Sequence, residues 1–136
     1  DFFSMESGSS IFEEQTNYPR QKRKIKSSLL QNELPSNIKN TISNLIKLDV
    51  QGAELNVISG LKSLINNFEV VIIEVSLHNY NKDSPLFYDV IHYMKNKKFI
   101  LYDIYDLKRL GDQDSYLLQF DCVFLRENSN LLNVKF

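Results

Sequence analysis

The chain has 136 residues, 43% of them hydrophobic and 24% charged, with a formal net charge of −1. That length suits one domain with a substantial core, and the charge balance gives no general attraction to nucleic acid or an anionic membrane. The single cysteine, Cys122, excludes an internal disulfide framework and a cysteine-only zinc site, and its apolar surroundings read as those of a packed thiol.

Residues 1–19 are mostly polar after Phe2 and Phe3 and read as a loop. No apolar stretch is long enough to cross a bilayer, and DFFSMESGSS lacks a basic-then-apolar leader pattern, so the simplest compartment is the cytoplasm. The absence of a methionine at position 1 suggests a fragment or a processed chain. RQKRKIK at 20–26 then places five basic side chains in seven residues. It is either a contact for phosphate or anionic glycan or a solvent-facing edge strand whose charges discourage pairing. The second reading is the simpler one. Ile25, Leu29 and Leu30 would anchor this segment, with a short helix over 28–34. Pro35 and the polar residues up to Asn44 form the approach to the next strand.

In LIKLDVQGAELNVISG, residues 45–60, the near-continuous apolar run Leu45, Ile46, Leu48 and Val50 predicts a strand covered on both faces. After Gly52 the period changes. Leu55, Ile58, Leu61 and Ile65, flanked by Val57 and Leu64, make one helical stripe that Asn66 and Asn67 end. The β-branched run Val70 to Ile73 predicts a second interior parallel strand, so the three elements form a right-handed βαβ unit. Glu74 follows near the carboxyl end of that strand. A charge there is costly unless partnered or wet, so it is either a site residue or a structural carboxylate satisfied by backbone donors.

Ser84 as cap and Pro85 at the first turn predict another helix, with Phe87, Val90, Ile91 and Met94 buried. Lys95, Lys97 and Lys98 suit the negative end of its dipole. FILYDI, residues 99–104, is a third strand. After a loop around Gly111 comes a fourth, in which Phe120, Cys122 and Phe124 alternate with Gln119 and Asp121. No helical pattern lies between these two strands, so they pair antiparallel as a hairpin. The fold class is α/β, with parallel strands, helical crossovers and a C-terminal antiparallel hairpin. Residues 1–44 form a loop with short edge elements, 45–126 the main unit and 127–136 a tail.

Open α/β sheets bind ligands beyond the carboxyl ends of their strands, where Asp49, Gln51, Gly52 and Glu54 fall. Asp49 can serve as a base or as a negative charge, or can cap the following helix. Glu54 lies in the first helical turn, where the dipole stabilises it in any case. Gly52 permits a tight turn or a close approach. Gln51 can hydrogen-bond but cannot act as a base. His78, with Asn79 and Tyr80, follows the second strand and is the obvious proton acceptor near neutral pH. His92, in mid-helix, reads as surface. Nothing in the spacing of Asp49, Glu54, Glu74 and His78 demands a metal ion.

LDVQGAEL within residues 45–60, then VVIIEVSLHNY at 70–80 and LLQFDCVFLR at 117–126, resemble in that order the FkbM family of S-adenosylmethionine-dependent methyltransferases. The resemblance runs from about Ser7 to Arg126. It implies a Rossmann-like methyltransferase sheet, S-adenosylmethionine as cofactor, and a small-molecule or glycan acceptor: a sugar, glycan or polyketide-type hydroxyl. Position at the strand ends, and for Glu54 the resemblance, make Asp49, Glu54, Glu74 and His78 the candidate catalytic residues and place Asp49, Gln51 and Gly52 at the cofactor. Ser9, Ser10, Asn79 and Tyr80 fall to the acceptor, with Ser7 and Gly8 bordering the site. Asp121 is matched by the family pattern but reads as structural.

A complete domain of this kind opens with a strand, a glycine-rich loop and a helix. Here Gly8, Gly52, Gly60 and Gly111 are scattered, with no G-x-G after an apolar strand. The cofactor loop is therefore expected outside this sequence, which corresponds to the carboxyl-terminal half. The strand at 45–50 should then have an open edge prone to self-association, and the chain alone should bind cofactor weakly and be inactive. The alternative is a non-catalytic α/β remnant or binding module.

Overall fold

The computed structural model describes residues 1–5, 8–41 and 44–132. Ser7, drawn to the site by the resemblance, and the end of the predicted tail lie outside the described residues.

Four strands make a mixed sheet: β3 (Asn44–Leu48), β4 (Phe68–Ser76), β5 (Phe99–Leu110) and β6 (Tyr116–Arg126), in the order β3-β4-β6-β5. β3 and β4 are parallel, and β6 runs antiparallel to both β4 and β5. The predicted hairpin is present. Its second strand, though, inserts beside β4 and leaves β5 at the rim.

The helices α3 (Glu54–Leu61) and α4 (Phe87–Asn96) connect these strands. Their side chains Ile58, Leu61, Val90 and Met94 pack on Val71, Ile73, Val75, Phe120, Cys122 and Phe124, which share one sheet face by the alternation of strand residues. Cys122 lies fully inside this core, and burial pushes its thiol up to about 12, which is the inert state expected of a packed cysteine.

The opposite face departs from expectation. Leu45 is 59% exposed and Val70 and Ile72 are only half-buried, so this part of the second face is thinly covered, whereas Glu74 and Asp121 on the same face are buried. Among the described residues β3 is an edge strand, as expected. β5 is the other edge, and every residue after Phe99 is exposed, including Leu101, Ile104 and Leu107.

The amino-terminal region holds more structure than its polarity suggests. β1 (Phe2–Ser4) pairs antiparallel with β2 (Gln21–Arg23), so residues 1–19 are not simply a loop, and the basic run joins a separate small sheet. Ile25 and Leu29 are exposed; only Leu30 of the three proposed anchors reaches the core. The helical pattern there is Leu30, Leu34 and Ile38, all packed on the core, and Pro35 divides it into α1 (Leu30–Glu33) and α2 (Ser36–Asn40).

α3 ends earlier than its stripe predicts. Lys62 adopts a φ of 52°, and residues Lys62–Asn67 continue as a 3-10 helix. Asn67 then donates to the carbonyls of Lys39 at 2.6 Å and Ile38 at 3.3 Å, pinning the end of α2. α4 starts at Phe87, two residues beyond the predicted Pro85. Ser84 does not cap it. The Ser84 N–H is spent on the Asn81 carbonyl, and the Asp89 carboxylate accepts the Leu86 N–H at 2.9 Å instead. His92 is exposed, as expected. No helix among the described residues is long and apolar enough to cross a membrane.

Candidate active site

β3 stops at Leu48, and the chain turns through Asp49 and Val50 into two left-handed residues, Gln51 (φ 51°) and Gly52 (φ 95°). Glu54 braces this turn from within: its Oε1 accepts the Val50 N–H at 2.9 Å and the Gly52 N–H at 3.2 Å. Burial raises the Glu54 carboxyl above the usual range and outweighs the lowering effect of these donors. The capping role left open for Asp49 is not filled by it, since no side chain caps α3, and Glu54, braced against the preceding turn, has turned away from solvent. Asp49 is exposed, with Oδ1 accepting from Gln51 Nε2 at 2.8 Å.

Gln51 is the hub. The same Nε2 donates to Glu74 Oε2 at 2.9 Å, and Oε1 accepts from the Tyr80 hydroxyl at 3.0 Å. The Gln51 carbonyl accepts from Ser10 Oγ at 2.6 Å and Asn81 Nδ2 at 3.1 Å. A non-glycine residue with positive φ is thus held at both ends.

Glu74 is buried and satisfied by side chains rather than by the backbone donors expected. Lys108 pairs with Oε1, and Gln119 Nε2 donates to Oε2 at 3.0 Å. The register sets Glu74 opposite Asp121 on β6, and Asp121 opposite Tyr105 on β5. Asp49 follows Leu48, which pairs with Ile73, so three acids lie along one cross-strand row. Like charges so placed repel. Lys47 on Asp121, Lys108 on Glu74 and the Gln51 amide between Asp49 and Glu74 offset that repulsion. Asp121 is accordingly structural, as read.

Burial raises the Glu74 carboxyl, Lys108 offsets part of that rise, and the charge of Asp49 adds to it. A raised acid binds more protons folded than unfolded. Its contribution to stability is therefore complete below the ordinary carboxylate value and is lost as pH rises through the raised one. Glu74→Gln should remove this loss, so the variant should gain relative to the parent in urea unfolding as pH rises above the ordinary carboxylate value. A constant difference over that rise would contradict the assignment.

A cleft of about 1250 Å³ opens over this network. Gln51, His78, Asn79 and Tyr80 line one side, Lys108, Tyr116 and Gln119 the strand side, and Gly8, Arg20, Gln21 and Arg23 the amino-terminal side. His78 packs edge-on against Tyr116, with ring centroids 5.0 Å apart. Tyr80 is pushed up to about 12 by burial and then by Glu74, so it stays a neutral hydroxyl that can donate. Its oxygen also accepts from Gln119 Nε2 at 2.7 Å. Asp49, Glu54 and Glu74 lie outside the cleft lining; Asp49 and Glu74 reach it through Gln51.

The serines fare differently from the prediction. Ser10 is buried and spent on Gln51 and on the Phe12 N–H, while Ser9 Oγ closes a local turn with Met5. Neither is presented to a ligand. Backbone bonds from Gln15 to Tyr80 and from Lys82 to Glu13 hold this segment against the site. Among the described residues, no group of three His, Cys, Asp or Glu side chains is gathered as metal ligands.

Residues 3–101, most of the chain, match the methyltransferase FkbM domain. The chain belongs to the FkbM methyltransferase family. No curated protein and no solved structure matches it. The matched stretch of this FkbM domain contains the β3 turn, β4 and the His78 to Tyr80 segment. It stops within β5, so Lys108 and Gln119, which complete the network, come from outside it.

Sequence reasoning missed these two residues and Lys47. Gln119 carried a faint signal, as a polar residue two positions from Asp121 in an alternating strand. Lys108 carried none, because β5 shifts register on both sides of it and its strand parity is lost.

Proposed function

We propose that this chain is the acceptor-side part of an S-adenosylmethionine-dependent methyltransferase that methylates a hydroxyl of a sugar, glycan or polyketide-type molecule in the cytoplasm. The observation that carries the proposal is the tie from Asp49 through Gln51 to a cleft lined by His78, Asn79 and Tyr80. Family membership supplies the reaction class.

The residues present fit one end of the cofactor. The exposed Asp49 carboxylate, with Glu74 behind it, suits a cationic neighbour. Gly52 does not fit: a Cβ there would meet Ser84 Cβ at 2.7 Å, so the space is filled by the protein rather than left for a ligand. When bound, S-adenosylmethionine supplies an electrophilic methyl group on a positively charged sulfur. Asp49 provides the negative environment, and Gln51 holds its carboxylate in place. Asn79 and Tyr80 orient the acceptor, and His78 takes the proton that the hydroxyl releases as it is methylated. Self-association belongs to the same reading, since β3 and β5 are the edges of the sheet among the described residues.

The test is expression of the genomic reading frame that contains this sequence, assayed with methyl-labelled S-adenosylmethionine. Label should pass to hydroxyl acceptors of the sugar or polyketide type and be stable to base, as an ether is. A frame with a start codon immediately ahead of Asp1, and no transfer to any acceptor, would favour the non-catalytic module.

A further inference from the structure

The basic run 20–26 belongs to the cleft and not only to solvent. Strand alternation in β2 turns Gln21 and Arg23 to the cleft, while Lys22 on the other side pairs with Asp1 at 2.9 Å. A run that served only to keep a strand edge soluble has no need to aim an arginine inward.

The partners of the two arginines are neutral. Arg23 Nη2 donates to Gln21 Oε1 at 2.6 Å. Arg20 is spent on the carbonyls of Glu14, Thr16 and Tyr18, which shapes the loop beside the cleft. Among the described residues neither arginine faces a carboxylate within ion-pair distance. Lys108 stands on the opposite wall, half-exposed, with Glu74 beneath it. The lining carries three cations, Arg20, Arg23 and Lys108, against one acid, Glu14; Lys108 is paired with Glu74 and lies 4.0 Å from Asp106, so Arg20 and Arg23 are the lining cations with no acid partner among the described residues.

We propose that the cleft takes an acceptor bearing an anionic group, a phosphate, sulfate or carboxylate, held by the Arg23 guanidinium with Lys108 facing it. This rests on reading the cleft as the acceptor site. Arginine suits such a group because its planar fork donates two parallel hydrogen bonds to two oxygens. The aromatic rings of His78, Tyr80 and Tyr116 are left for the uncharged body of the molecule.

Titration of the isotope-labelled 136-residue chain, followed by NMR, tests this without methyl transfer. The probes are glucose 6-phosphate, methyl glucuronoside and the neutral methyl glucoside. The two anionic probes should shift Arg23, Lys108 and His78 saturably, and the one held more tightly identifies the anion. The neutral glucoside should leave Arg23 and Lys108 unmoved. Arg23→Gln should weaken binding about tenfold, Arg23→Lys by less, and Lys95→Gln on α4 not at all. Equal response to the neutral glucoside, or an affinity unchanged in Arg23→Gln, would overturn the anionic acceptor while leaving methyl transfer intact. Anion binding at the cleft combined with no transfer from the full reading frame would instead overturn only the methyltransferase reading.

Discussion

Gly52→Ala should destabilise the fold by about 3 kcal/mol, from a left-handed backbone forced on an L-residue together with overpacking. The φ of 95° lies beyond the small left-handed region that other residues tolerate. The added methyl would also sit 2.7 Å from Ser84 Cβ and 3.5 Å from the Phe12 ring. Ser84 cannot simply retreat. Its N–H is bonded to the Asn81 carbonyl, and the Asn81 side chain is bonded to Gln51, so any shift is passed back to the site. The two causes can be separated. Ser84→Gly removes the clash and leaves the backbone cost, so urea unfolding of the single and double variants should show a coupling of about 1 kcal/mol or more. Strict additivity would mean that the close approach is not what this glycine provides.

The βαβ unit was legible because its signals are local and redundant. Leu48, Ile58, Leu61, Val71 and Ile73 each obey the period of their own element, and each is buried. What could not be read was how many layers cover the sheet. Leu45 and Ile72 look like interior residues in sequence, yet their part of the face is left partly open here, because apolar character records what a position tolerates and not what lies above it. The site divides in the same way. Asp49, Gln51 and the His78 to Tyr80 segment could be placed together from sequence because they follow the carboxyl ends of adjacent parallel strands. Glu54 was assigned to chemistry when its geometry is that of a brace, a distinction that turns on one side-chain rotamer. Lys47 and Lys108 are visible only once the register sets three acids in a row and shows which charges must be offset.

Asp49 is the residue on which the account turns. It is exposed at the tip of β3, it accepts from the neutral Gln51 amide, and that amide joins it to the floor of the cleft. Asparagine keeps its size and one oxygen for Gln51 while removing the charge that would face a cationic methyl donor. Because Asp49 makes no hydrogen bond to the helix and lies outside the core, Asp49→Asn should leave unfolding within about 0.5 kcal/mol of the parent. The effect should appear in the reaction. The decisive measurement is the rate of methyl-label transfer by the full reading frame, parent against Asp49→Asn, at matched folded concentration. A fall of about a hundredfold is predicted for loss of one preorganised charge, and transfer at the parental rate would contradict the account.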